Sequence, residues 1–177
     1  MDWKIVDAGA AGWKDAAELH TLSWKTAYRG IVSDAYLEND CANDRQTVWS
    51  GRAKEWDPAK IVLLIARQDD GTALGMSCAA ILPNDAYGVL LDNLHVRPNL
   101  KRGGIGRALI AATGRWVAER MPGTPMYLTV YKDNTNAVAF YRRMGGEEAD
   151  AGIYAFKDGT SAPILRFTWR EPAKIAG

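Results

Sequence analysis

The sequence predicts an α+β domain: a mostly antiparallel sheet with helices on its faces. Three observations predict it. Short β-prone runs follow one another between Lys60 and Val96 with turns and no helix between them. In the second half, two segments with apolar residues at helical spacing alternate with strands. The 177 residues, 47% hydrophobic and 24% charged, suit one globular domain spanning 1–177 and are short for two.

The elements follow in order. Lys4 to Val6 is a short β-prone start. From Trp13 to Tyr28, Ala16, Ala17, Leu19, His20, Trp24, Ala27 and Tyr28 recur at helical spacing, and Gly30 is a stop signal. Ser33-Asp34 caps a short helix through Leu37. Asp44 to Lys54 reads as another helix, with Val48 and Trp49 apolar. Lys60 to Arg67 has the composition of a buried strand. Gln68-Asp69-Asp70-Gly71 is a hairpin turn, with Asp-Gly supplying left-handed positions, and Ala73 to Leu82 is the partner strand. Pro83-Asn84-Asp85 turns the chain into Gly88 to Val96, completing an antiparallel meander of three strands.

Ile105, Ala108, Leu109, Ala112 and Trp116 then mark one face of a helix ending near Met121-Pro122-Gly123. Met126 to Tyr131 is a strand. Ala137, Phe140, Tyr141 and Met144 define a helix over Asn134 to Met144, closed by Gly145-Gly146. Two last strands, Glu147 to Phe156 and Ile164 to Arg170, are joined through Lys157-Asp158-Gly159. Trp3, Trp116 and Trp169 are read as core filling.

The passage from Val96 through Lys101-Arg102-Gly103-Gly104-Ile105-Gly106-Arg107 carries chemistry. A strand meets a proline, a basic glycine turn follows, and a helix begins. Glycines let the backbone approach a ligand closely. The first helical turn offers free N–H groups at the positive end of its dipole. An anionic pyrophosphate suits both, and Arg97, Lys101, Arg102 and Arg107 bracket the glycines with positive charge. The same segment without a ligand is a tight strand-to-helix turn.

A second motif lies downstream: Leu128-Thr129-Val130-Tyr131-Lys132-Asp133-Asn134-Thr135-Asn136-Ala137-Val138-Ala139-Phe140-Tyr141-Arg142-Arg143-Met144-Gly145-Gly146. It resembles the GNAT superfamily of acyl-CoA-dependent N-acyltransferases, whose pattern is L-x-V-x-x-x-N-x-x-A-x-x-F-Y-x-x-x-G-F. Every fixed position matches except the last, where Gly146 replaces an aromatic. The family's first motif, R/Q-x-x-G-x-G/A after a proline, is matched by Lys101 to Gly106, with Lys101 at the usual Arg or Gln. That exchange keeps the charge and loses the planar fork. The resemblance covers about residues 90 to 146. Leu19 to Ile31 also resembles the N-terminal helix of a bacterial subgroup.

The resemblance implies a GNAT-type fold: six to seven strands in a mostly antiparallel mixed sheet, about four helices, and splayed central strands. It implies acetyl-CoA as cosubstrate, with the pyrophosphate on Lys101, Arg102, Gly103, Gly104, Ile105, Gly106 and Arg107. The pantetheine arm would meet the main chain of Leu94, His95 and Val96. Asn134 matches the asparagine on the cofactor arm, and is also a good helix N-cap. Tyr141 matches the tyrosine beside the CoA sulfur. A phenol of pKa near 10 can reprotonate a thiolate of pKa near 8.5; the alternative is a core tyrosine on the helix's apolar face.

The implied reaction is direct attack of a primary amine on the thioester. A lysine-like amine is neutral roughly one time in 2,500 at pH 7, so a base or water chain helps. The glutamate some relatives carry in this strand aligns with Leu90 and is absent. Asp92 and His95 are the candidate bases, a structural hydrogen bond or acceptor binding being the other role open to each, and alternation puts them on opposite strand faces unless a bulge intervenes. Trp24, Tyr28, Tyr36 and Asp92 are candidate acceptor-binding residues; packing against the sheet is the other role open to the aromatics. Asp34, Glu38, Asp40 and Asp44 form a loose acidic group.

Other classes fit less well. A net charge of +1 disfavours a nucleic-acid or membrane partner. No run approaches the ~20 apolar residues of a membrane span. GxxxxGK[ST] and a GxGxxG in a βαβ unit are both missing. Cys41 and Cys78 lack metal-ligand or CxxC spacing, so no metal is called for and reduced thiols fit a cytoplasmic protein. The N-terminus lacks a signal-peptide core. A GNAT-like module that binds acyl-CoA without transfer is the second hypothesis. Homodimers are frequent among relatives.

Overall fold

A computed structural model describes residues 2–155 and 161–176. Seven strands form one mixed sheet: β1 (Trp3–Asp7), β2 (Ile61–Gln68), β3 (Ala73–Ala80), β4 (Val89–Val96), β5 (Met126–Tyr131), β6 (Glu147–Ala155) and β7 (Ser161–Trp169). Their order across the sheet is β1-β2-β3-β4-β5-β7-β6. Every neighbouring pair is antiparallel except β4 and β5. Five helices cover the faces: α1 (Trp13–Ala27), α2 (Asp34–Asn39), α3 (Cys41–Lys54), α4 (Ile105–Arg120) and α5 (Thr135–Arg143). This is the expected α+β class, with the five helices read from the sequence and one more than the family resemblance implied.

The sheet is buried on both sides at β2 and β3, which explains why these strands read as continuous apolar runs without alternation. One face packs Leu74, Leu91, Leu109, Val117 and Phe167 beneath α4 and α5. The other packs Leu63, Ile65, Met76 and Cys78 beneath Leu19 of α1 and Trp49 of α3. Trp169 belongs to the first core, with Trp3 and Trp116 packed against it, as expected. Both cysteines are buried and unpaired. No helix among the described residues is long and apolar enough to cross a membrane.

Local chemistry sets the element ends. Ser33 caps α2 by accepting from the Tyr36 N–H at 3.3 Å. α3 begins at Cys41 rather than Asp44, because Asp40 closes α2 and opens α3 at once. In the β2–β3 turn only Gly71 is left-handed, at φ +91°. The sequence reading had given Asp70 that role too. Asp70 instead accepts from the Thr72 N–H at 2.8 Å, an Asx interaction that holds the turn from the side chain. The link through Lys157-Asp158-Gly159 lies outside the described residues.

Candidate active site

The site begins where the sheet fails to close. β4 and β5 pair only at Val89 with Met126 and Leu90 with Tyr127. Beyond Leu90 they part, while β3 and β7 continue pairing along their outer edges. The peptide groups of Leu91 to Val96 and of Leu128 to Tyr131 that face each other therefore have no ladder between them. Buried backbone groups demand partners, and these two facing edges leave room for an extended chain to supply them.

The glycine turn lies at the end of β4. Lys101, Arg102, Gly103 and Gly104 are all exposed. Arg102 and Gly104 are left-handed, at φ +71° and +84°. Gly104 caps α4 without a side-chain hydrogen bond, and nothing lies within 4 Å of where its Cβ would stand. The first-turn N–H groups of α4 are thus open to an anion. No described carboxylate pairs with Lys101, Arg102 or Arg107. The Arg107 Nε donates to the Ala176 carbonyl at 3.3 Å. Arg97 does not join this group. It donates to the Ala73 carbonyl at 2.6 Å and to Glu18 at 2.7 Å, clamping the end of β4 to β3 and α1.

β4 bulges at Asp92. Cys78 pairs with Asn93 and Ala79 with Leu91, leaving Asp92 without a partner. The bulge turns Asn93 and His95 to the face that carries Met76 and Cys78, under α1 and α3. The separation that simple alternation predicted is thereby removed: Asp92 and His95 both address the α1–α3 side. Asp92 forms an ion pair with Arg52 of α3 and accepts from the Asn93 amide at 2.7 Å.

His95 stacks on His20 of α1, ring centroids 4.5 Å apart. His20 is 6% exposed, and its Nδ1 accepts the Trp49 indole N–H at 3.1 Å. Burial, with His95, Arg45 and Arg52 adding repulsion, holds the His20 pKa far below the usual histidine range. Burial, then the Lys101 and Arg45 charges, pushes His95 down to about 3. Both rings are neutral at pH 7.

An aromatic wall continues from His20. Trp24 lies 5.3 Å from His20, 4.9 Å from Tyr28 and 6.4 Å from Tyr36. Tyr28 meets Tyr131, at the splayed end of β5, at 5.2 Å, and the Asn134 side chain lies near enough to act on its phenol. Asn134 caps α5 by accepting from the Ala137 N–H at 3.3 Å. Tyr141, on the inner face of α5, packs against Phe140, Phe167 and Trp169. Burial raises its pKa above that of an ordinary phenol, and Tyr28 adds to the effect. The three acceptor candidates Trp24, Tyr28 and Tyr36 thus fall together.

Sequence reasoning missed Arg45, Arg52 and the site role of His20. A signal existed. Arg45, Trp49 and Arg52 are spaced 0, 4 and 7, hence on one helix face. A buried Trp49 brings both arginines to the sheet side, and their guanidinium groups stack on Trp24 at 4.5 Å and Trp49 at 4.9 Å.

The acetyltransferase (GNAT) family model matches residues 13–146. The chain belongs to that family. The match includes α1 through α5, and so every site residue expected from the sequence. Among similar solved structures, PaiA N-acetyltransferase from Thermoplasma acidophilum in complex with coenzyme A has TM-score 0.71 at 20% identity, covering 96% of this chain and 100% of that one. The ribosomal-protein-S18-alanine N-acetyltransferase of Escherichia coli has TM-score 0.68 at 17% identity over 99% and 96%. The yncA protein of Salmonella typhimurium, solved with acetyl-CoA, has TM-score 0.69 at 14% identity over 96% and 94%. At these identities the likeness is one of fold. A comparison with curated protein sequences finds no match. GNAT enzymes take acetyl-CoA as cosubstrate.

Proposed function

We propose that the protein is an N-acetyltransferase that moves the acetyl group of acetyl-CoA to a primary amine by direct attack. The observation that carries the reading is the parting of β4 and β5 beside an open, basic helix N-terminus. The residues fit the cosubstrate: the turn from Lys101 to Arg107 suits a pyrophosphate, and the unpaired edge at Leu94, His95 and Val96 suits a pantetheine amide chain. Acetyl-CoA supplies an activated thioester.

The chain's residues do the rest. A main-chain N–H near the β4 bulge steadies the charge developing on the carbonyl oxygen. Tyr141 donates its proton to the departing sulfur; its raised pKa keeps that proton in place across the working range. Asn134 holds the start of α5 at the cleft. Asp92 is the proposed base, the one carboxylate on β4, on the α3 side of the sheet beside Arg52. Arg52 orients it. Trp24, Tyr28 and Tyr36 flank the acceptor.

Thiol release from acetyl-CoA against pooled amines tests the reading. Tyr141→Phe lowers kcat by roughly 10²-fold or more with little change in acetyl-CoA affinity, since general acid catalysis contributes about 10²–10⁴. Asp92→Asn loses activity at neutral pH and regains it at high pH, where the amine is already neutral. A Tyr141→Phe enzyme of full activity would remove the acid assignment, and a pH-independent Asp92→Asn the base. Acetyl-CoA binding without release from any pool would favour the non-catalytic module.

A further inference from the structure

The buried end of the proposed acceptor site sets one donor against another. Trp49's indole N–H can only donate, so the His20 Nδ1 it contacts at 3.1 Å is the lone-pair nitrogen. The single ring proton of neutral His20 is therefore on Nε2. That nitrogen lies 3.4 Å from Nη1 of Arg45, and a guanidinium has no lone pair to offer. Two N–H groups thus confront each other with nothing between them to accept.

Arg45 is short of acceptors throughout. Its Nε is buried and has no hydrogen-bond partner. Its Nη2 reaches the Tyr36 hydroxyl at a long 3.4 Å. Asp44 gives Nη2 only a loose ion pair at 3.7 Å, and the same carboxylate accepts from Tyr36 at 2.8 Å. The side chain is 14% exposed and stacked on Trp24. Its neighbours differ: Arg52, Arg67 and Arg97 each meet a carboxylate directly. Nearly buried polar groups of this kind are normally satisfied, and a guanidinium fork matches a carboxylate.

We infer that the acceptor is an amine that carries its own carboxylate, held by Arg45 and His20 Nε2–H against the Trp24–Tyr36 wall. The inference rests on the proposed transferase function and names its substrate class. Charge points the same way. Of the four acidic residues that might have drawn a polycation, three are engaged: Asp34 and Glu38 pair with Arg29, and Asp44 with Tyr36 and Arg45. A polyamine would meet in Arg45 a charge of its own sign.

The test compares acids with their amides. Free L-amino acids and dipeptides, their C-terminal carboxamides, and spermidine are each measured two ways: by thiol release from acetyl-CoA, and by shift of the melting temperature with CoA present. Acids are expected to shift the melt and to exceed their amides at least tenfold in kcat/KM. In Arg45→Gln that preference collapses, and Arg45→Lys recovers part of it, while CoA still binds both variants. Whether free amino acids or dipeptides lead identifies the carboxylate's source. Amides equal to acids, preference for spermidine, or no acid that either shifts the melt or turns over would overturn the inference. Acids that bind without turnover would uphold the carboxylate pocket and sink the transferase reading. Failure of CoA itself to bind would sink only the latter.

Discussion

At the residue scale, Gly146 shows how a departure from a motif acquires a reason. The family pattern has an aromatic there, and the sequence offers no account of its loss. In the fold, a Cβ on Gly146 would stand 2.7 Å from Trp169 and 3.1 Å from Phe167. The aromatic volume comes from β7 instead. Trp169 is buried and donates its indole N–H to the Met144 carbonyl at 2.9 Å, closing the end of α5. Restoring the family residue by Gly146→Phe therefore overpacks this corner. It should cost about 1–3 kcal/mol, read as a lower denaturation midpoint. Adding Trp169→Ala should return part of the loss, a coupling that additive effects would not give. A Gly146→Phe protein as stable as the parent would show that the corner has room.

At the element scale, the cleft depends on where β4 and β5 meet before they part. Gly88 precedes the meeting point at φ +109°, and its Cβ would lie 2.1 Å from the Pro125 carbonyl oxygen. That oxygen also accepts from the Val89 N–H at 2.9 Å. An alanine here is strained in backbone and in contact, so Gly88→Ala should destabilise by more than about 2 kcal/mol and raise KM for acetyl-CoA. An unchanged midpoint and KM would mean that the vertex of the cleft tolerates displacement. Most element positions were legible, because caps and periodicity act locally: Ser33, Asn134, Gly145 and the strand Met126 to Tyr131 lie where their residue types placed them. What local signals could not supply is the effect of distant packing. The bulge at Asp92 arises from register against β3, and the arginine-rich face of α3 has meaning only once Trp49 is seen to be buried.

At the scale of the whole molecule, the chain's two histidines form one stacked pair between α1 and β4. Both have pKa values depressed by burial, with nearby cations adding to it. A depressed histidine is neutral in the folded state and protonated in the unfolded one below about pH 6.5. The unfolded chain then binds more protons, so stability rises with pH in that range. Each histidine's contribution is complete above about pH 6.5 and is lost as pH falls, for His95 until about 3. Per histidine the loss approaches about 1.4 kcal/mol per pH unit, or roughly 2 kcal/mol between pH 6.5 and 5. Exposed carboxylates titrate mainly below that window, so pH 5 to 7 isolates the pair. Melts across this window should fall steeply towards pH 5. His20→Gln retains an acceptor for Trp49 and removes one titrating group, so its curve should be flatter by up to one proton. Because the same pair joins the first helix to the bulged strand, acid should open the acceptor side before it disturbs the sheet between β2 and β3. Amide exchange at pH 5 would then show early loss of protection in α1 with the β2–β3 ladder intact. Parallel loss across both would mean that the histidine pair carries no local share of the stability.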